Sequence, residues 1–475
     1  MNLVKLFSFF NGKQYLCGKF TKPNYYNTIF YNLSRQMKNQ VKGFMFYVAF
    51  VASLGGLLFG FDTAVISGAE KAIQQVYKLS DFGHGFTVAT ALIGTIIGAL
   101  FCGKPAEHLG RRRSLVLIAL LYFVSAIGTA TIINWYSFMF FRLMGGLAIG
   151  ASSVVGPMYI AEISPSRWRG RFVAFFQFNV VSGILLAYLS NYCISGIPHD
   201  WQWMLGVVAI PALLFAILLR TIPESPRWLV KKQQARLAFD VLAKTGEPDA
   251  EKEIAEIEKS LADTGASGER LFQKQYSKPV MIAFLIATFN QLSGINAIIY
   301  YAPRIFEMSG VFHEGALIQS VAIGLTNLVF TMLGMAIIDK VGRKTLLCVG
   351  SVGMFVALSF VAFGFFTDKF EGYYMLLCLM GFIAFFAISL GATIWVVISE
   401  VFPNVVRAKG QVLGSMTHWV WAALLSWFFP MFFSVGGGFI FSFFALAVLG
   451  SFVFALRMPE TKNKSLEQIQ KDMLK

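Results

Sequence analysis

Charged side chains are scarce in this chain, at 14% of its residues, where a soluble domain carries about a quarter. So few charges cannot cover a globule of 475 residues with solvated surface. Cysteine is scarcer still. The five (Cys17, Cys102, Cys193, Cys348, Cys378) are scattered and odd in number, with the spacing of neither a disulfide framework nor a metal site. The five histidines (His84, His108, His199, His313, His418) are equally dispersed, and the sequence has no H-E-x-x-H, no G-x-S-x-G and no Walker A loop. Those absences argue against a membrane enzyme and against pumping driven by ATP, and no cofactor or metal is expected. Acids are outnumbered by bases, 25 to 40. In a soluble protein that excess would suggest nucleic acid; in a membrane protein it reflects Lys and Arg held at one face of the bilayer, and no nucleic-acid partner is expected.

What the chain has in abundance is uninterrupted apolar sequence. Hydrophobic residues make up 56% and the mean hydropathy is +0.63. Apolar runs fall near 44–70, 86–103, 114–133, 136–160, 172–192 and 203–221, then 279–309, 315–338, 345–366, 372–399, 410–434 and 436–458. About 20 residues cross the hydrocarbon as a helix, and continuous runs of this length exclude the ten-residue alternation of a barrel. The pattern predicts an all-α membrane protein of twelve transmembrane helices in two six-helix bundles, 44–221 and 279–458. Between them, 222–278 is polar. Its ARLAFDVLAKTGEPDAEKEIAEIEKSLADTG mixes acids and bases around a helical apolar stripe, which predicts a solvated helical linker.

Loop charges give the orientation. Lys104 and Arg111–Arg113 follow the second run, Arg167, Arg169 and Arg171 the fourth, Lys340, Arg343 and Lys344 the eighth, and Arg407 and Lys409 the tenth. The alternate loops carry few bases, so the linker and both termini are expected to be cytoplasmic in a multi-pass inner-membrane protein. The segment 1–43 is basic, aromatic and free of acids up to Lys42. It has no clear signal-peptide pattern. Two readings stay open: it lies on anionic lipid, or translation begins at Met37. Residues 459–475 form a short cytoplasmic tail.

The two halves repeat each other. Gly110-Arg111-Arg112 recurs as Gly342-Arg343-Lys344, Glu162-x-x-Pro165-x-x-x-Arg169 as Glu400-x-x-Pro403-x-x-x-Arg407, and Pro223-Glu224-Ser225 as Pro459-Glu460-Thr461. Duplicated halves are a signature of secondary transporters, whose site lies near mid-membrane between the repeats. A carrier needs two packings of similar energy, and charges at helix ends can pair in one and separate to water in the other. Glu162, Arg169, Glu400, Arg407, Arg111, Arg112, Arg343 and Glu224 stand where such a cytoplasmic gate is expected.

Eight segments, in order from about residue 45 to 470, resemble the sugar porter family of the major facilitator superfamily: GGLLFGFDTAVISGA (55–69), GRRRS (110–114), YIAEISPSRWRG (159–170), PESPRWL (223–229), QLSGINAIIYYAP (291–303), DKVGRK (339–344), ISEVFPNVVRAKG (398–410) and PETKNKSLEQI (459–469). The resemblance implies the major facilitator fold, alternating access and a monosaccharide, hexose or pentose, as substrate, carried by a chain expected to act as a monomer.

Asp62 falls inside the first apolar run, where an ionised carboxylate costs about 2.5 kcal/mol or more; Arg142, early in the fourth, is its natural partner. Proton-coupled members of the family carry this Asp and many uniporters do not, so proton symport is expected, with a structural ion pair as the alternative. Sugar hydroxyls call for amides and aromatic faces, and the family positions are Gln177, Gln291, Asn296, Asn327, Trp395 and Trp419. Tyr300 and Tyr301 are candidate extracellular gating residues. Three positions depart from the family: Asn290 stands for a Gln, Ala392 for a Pro and Ala422 for an Asn. A facilitative sugar uniporter, a carrier of a polyol such as an inositol, and a non-transporting sensor remain as rivals; the short tail speaks against the sensor.

Overall fold

Backbone polar groups in lipid have no water to bond, so each apolar run closes its own hydrogen bonds as a helix. Twelve helical spans among the described residues are long and apolar enough to cross a membrane: Gly43–Val76, Asp81–Phe101, Arg111–Thr131, Trp135–Ile163, Arg169–Ile194, Asp200–Leu218, Lys274–Met308, His313–Val341, Arg343–Thr367, Tyr374–Val401, Arg407–Val435 and Gly437–Arg457. They are called the first to twelfth spans below. The computed structural model describes residues 23–132, 134–165, 168–263, 269–403, 405–462 and 468, with side chains from Gly43 onward except those of Ala262 and Asp263. The basic segment 1–43 and the tail 459–475 lie largely outside the described residues, as does Arg167; the helix of the first span begins at Pro23.

Within the first half the first span packs against the fifth and fourth, and the second against the fourth. Small residues set these distances, as is usual where lipid supplies no hydrophobic drive between helices. A Cβ at Gly60 would fall on the carbonyl oxygen of Val180, and one at Gly146 on that of Ala91. The halves meet along two seams that the repeat relates to each other, second span against eleventh and fifth against eighth.

Three spans that read as continuous in sequence are interrupted. The sixth consists of Asp200–Gly206 and Ala209–Leu218. The tenth changes to a π turn over Ala387–Gly391, immediately before Ala392, and single π turns are common at functional sites. The seventh is divided into Ser277–Leu292 and Ile295–Met308 by Gly294 in the left-handed region (φ 86°), and its second part is distorted again at Tyr301 (φ −118°, ψ 18°) ahead of Pro303. Broken helices in transporters tend to mark the substrate site.

The linker folds into Pro226–Lys231, Ala235–Thr245 and Ala250–Asp263. It is fastened to the first half, where the Trp228 indole N–H donates to the Glu107 carbonyl at 2.9 Å and Lys231 pairs with the Glu107 carboxylate at 3.2 Å. This end of the molecule is called the linker face, and the opposite end the far face.

Candidate functional site

Asp62 lies near the middle of the first span and is 6% exposed; Arg142 of the fourth is 2% exposed. The Arg142 Nη1 donates to Asp62 Oδ1 at 3.4 Å, long for a charge-assisted bond. Asp62 Oδ2 and Arg142 Nε have no hydrogen-bond partner among the described residues. The pair thus leaves one buried carboxylate oxygen without a hydrogen bond. Tyr122 of the third span lies within electrostatic reach of Asp62, and Tyr300 of the seventh within reach of both Asp62 and Arg142. Tyr300 belongs to the other half of the molecule, so the ion pair faces the junction.

The broken seventh span sets three amides around its break. Asn296 donates to Gln291 Oε1 at 3.0 Å, Gln291 Nε2 donates to Asn290 Oδ1 at 3.1 Å, and Asn290 donates to the Leu390 carbonyl in the π turn at 3.3 Å. Gln291 Nε2 also lies 3.2 and 3.1 Å from the two ring nitrogens of His418. The His418 ring stands between Trp395, at 5.1 Å, and Trp419, at 4.8 Å, and Trp419 reaches Phe59 of the first half at 5.6 Å. Amides that both donate and accept, flanked by indole faces, form the kind of lining that exchanges hydrogen bonds with a polyhydroxylated ring.

The structure thus brings together Gln291, Asn296, Trp395 and Trp419. Gln177 is half-buried on the fifth span, and its side chain makes no hydrogen bond among the described residues. Asn327 is buried on the eighth span and accepts from Thr331 at 3.3 Å. Tyr300 and Tyr301 are both buried, and Tyr301 donates to the Ser426 carbonyl at 3.1 Å. That carbonyl is four residues before Pro430, which has no N–H to give it. His418 carried no signal in the sequence beyond being a polar residue in an apolar run beside Trp419.

At the linker face the repeated motifs build the same ring twice. Gly110 (φ 94°) precedes the third span and Gly342 (φ 101°) the ninth. Glycine has no side chain to cap these helices, and a carboxylate from the end of each half does so instead. Glu224 Oε1 accepts from the backbone N–H of Arg111 at 2.9 Å and of Arg112 at 3.0 Å. Glu460 accepts from those of Arg343 and Lys344 at 3.1 and 3.0 Å. A Cβ at Gly110 or Gly342 would collide with the capping carboxylate, so glycine there answers to both the backbone angle and the space. The Arg111 guanidinium pairs with Glu162 at 2.9 Å, and Ser225 donates to the same carboxylate at 2.5 Å. In the second half Arg343 pairs with Glu400 at 2.9 Å and Thr461 donates to it at 2.6 Å. Glu162 and Glu400 thus bond the arginine of the preceding G-R motif. Arg169 is exposed, and Arg407 donates to the Phe402 carbonyl at 3.2 Å.

The hydrogen bonds and ion pairs that join first-half to second-half spans gather towards the far face. Tyr188 donates to the Ile299 carbonyl at 2.7 Å, Arg304 donates to Glu70 at 3.3 Å and to Gln74 at 3.0 Å, and Lys71 pairs with Glu307 at 2.7 Å. None of these residues stood out in the sequence, although Glu70, like Asp62, is a carboxylate within the first apolar run, at its last residue.

Comparison with known proteins accords with this architecture. The sugar (and other) transporter family matches residues 48–473. The arabinose-proton symporter of Bacillus subtilis is 36% identical over 446 residues, which cover 91% of this chain and 96% of that one. The inward open conformation of the xylose transporter XylE from E. coli superposes with a TM-score of 0.80 at 36% identity, over 90% of this chain and 99% of that one. The same proton:xylose symporter bound to 6-bromo-6-deoxy-D-glucose gives 0.76 at 35% identity, over 91% and 99%. Twelve spans, duplicated linker-face rings and a match over nearly the whole length of each relative place this chain in the sugar (and other) transporter family, within the major facilitator superfamily.

Proposed function

We propose that the chain carries a monosaccharide across the membrane by alternating access, with a proton moving in the same direction. The observation that carries the proton is the buried Asp62–Arg142 pair with its unpartnered carboxylate oxygen. The relatives named above move arabinose or xylose, which makes an aldopentose the first substrate to try.

In this reading the sugar replaces part of the amide network. Its hydroxyls take the bonds that Gln291, Asn290, Asn296 and His418 now make with one another, and Trp395 and Trp419 hold its C–H faces. Gln177 on the fifth span and Asn327 on the eighth complete the site as the halves close. Asn290 and His418 shape this lining in a way that amide side chains of the full glutamine length would not, and they are the residues to vary for specificity. The proton binds Asp62 Oδ2. Adding it removes the charge that Arg142 balances, and Tyr300, on the broken span that also carries Gln291, feels both charges. Protonation and sugar binding thus act on one flexible element.

Tyr300 and Tyr301 gate the far face, which we assign to the outside of the inner membrane, with linker and termini in the cytoplasm. The linker-face rings keep each half rigid while the halves rock. The far-face bonds described above make this conformation one that is closed to the outside.

Uptake into proteoliposomes with labelled pentoses, hexoses and polyols, with and without an inward proton gradient, tests the proposal. Uphill accumulation of one sugar, abolished by an uncoupler and by Asp62→Asn, is the expected result. Equilibration that ignores the gradient would make the chain a uniporter and Asp62 a structural residue.

A further inference from the structure

A second buried carboxylate lies eight residues beyond Asp62 on the same helix, about 12 Å along its axis. Glu70 is 2% exposed and His84, on the second span, is fully buried. His84 Nε2 sits 2.6 Å from Glu70 Oε2, and His84 Nδ1 has no hydrogen-bond partner among the described residues. The same oxygen, Glu70 Oε2, accepts from Arg304 Nη1 at 3.3 Å. Glu70 and His84 belong to the first half and Arg304 to the second.

The charged and titratable groups around the pair lie on the first, second and seventh spans, while the eleventh meets the second with Trp427 and Pro430 beside Gly85. Lys71 is its neighbour on the first span, Asp81 is held by Gln74 at 3.1 Å, and Tyr301 presents its ring edge-on to His84 at 6.0 Å. Glu307 of the seventh span is bonded to Lys71 and to His313 of the eighth, and forms a separate strap.

We propose that Glu70 and His84 form a proton-binding site, distinct from Asp62, that fills when Arg304 leaves. With the far face closed, Glu70 carboxylate, Arg304 guanidinium and neutral His84 sum to zero charge. An added proton would leave a net positive charge buried, which is costly. Opening the far face separates the halves and withdraws Arg304. The carboxylate then keeps a neutral imidazole alone, and one proton restores neutrality, either as an imidazolium–carboxylate pair or as a carboxylic acid. Arg304 and the proton compete for one oxygen. Opening therefore takes up a proton, and acid favours the open form.

This inference rests on alternating access alone, not on the identity of the sugar or on the role of Asp62. It is tested on the full chain in nanodiscs, with native cysteines removed, spin labels at Tyr136→Cys and Phe312→Cys on the far face, and Asp62→Asn throughout to silence that carboxylate. Distance distributions between pH 8 and pH 5 report the open fraction. The open fraction should rise as pH falls, and Glu70→Gln should abolish the dependence while raising the open fraction at every pH. Arg304→Ala, which removes the proton's competitor, should raise the open fraction at pH 8 and flatten the dependence, and His313→Gln should leave the dependence in place. An open fraction that does not respond to pH in the Asp62→Asn protein overturns the proposal. So does a response that persists unchanged in Glu70→Gln and Arg304→Ala, or one that disappears only with His313→Gln.

Discussion

Tyr188 of the first half donates its hydroxyl to the Ile299 carbonyl of the second at 2.7 Å. That carbonyl is available because Pro303, four residues on, has no N–H to offer it. An ordinary helix carbonyl is already bonded within its own turn. A proline-freed one can be capped by a neighbouring helix when the halves close and by water when they part.

Tyr188→Phe should consequently weaken closure of the far face without harming the helices themselves. An unpartnered buried carbonyl costs about 1–3 kcal/mol, or roughly a five- to 150-fold shift towards the open form. Spin-label distances across the far face would register it, and an unchanged distribution would show that water already bonds Ile299.

Asp62→Asn should eliminate accumulation driven by a proton gradient while sugar exchange at equal concentrations continues. An exchanged pair, Asp62→Arg with Arg142→Asp, should recover protein yield relative to either single change if the 3.4 Å contact supports folding. Yields no better than those of the single variants would count against the pair as a structural element.

Gln291→Ala should weaken sugar binding by about tenfold or more, because the sugar loses an amide that both donates and accepts. His418→Phe keeps a ring between Trp395 and Trp419 and removes only its nitrogens. It should weaken binding by a similar factor if those nitrogens meet the sugar, and very little if His418 serves only to pack. Calorimetric or fluorescence titration of purified protein separates the two.

Glu224→Ala and Glu460→Ala should each lower the thermal unfolding temperature in detergent. Each removes a charged cap from the start of a membrane helix, worth about 1–2 kcal/mol. Equal losses from the two variants would match the duplicated geometry. Loss from only one would mean that the rings, alike in shape, do different work.

Much of this was legible in the sequence and some was not. The G-R, E-x-x-P and P-E-[ST] motifs could be read as a repeat because they recur at matching offsets. Their pairing could not. Glu162 bonds Arg111, 51 residues away, and Glu400 bonds Arg343, 57 residues away, not Arg169 and Arg407 of their own motifs. Local separation says little about which helix ends the bundle brings together. The seventh span read as one run because Gly294 and Pro303 are compatible with an apolar helix in membranes; its break appears only when the amides on either side are seen to bond each other. Glu70, His84 and Arg304 had no common motif, being 14 and 234 residues apart.

The position of the capping carboxylates has a consequence for how the chain is made. Glu224 follows the last span of the first half and Glu460 the last span of the second. Each ring can close only when the final helix of its own half has left the ribosome, and it needs nothing from the other half. The first bundle can therefore be locked in the bilayer while the second is still being translated. A nascent chain cut just after residue 230 should already hold its Arg111–Glu162–Glu224 ring, and one cut just before Glu224 should not.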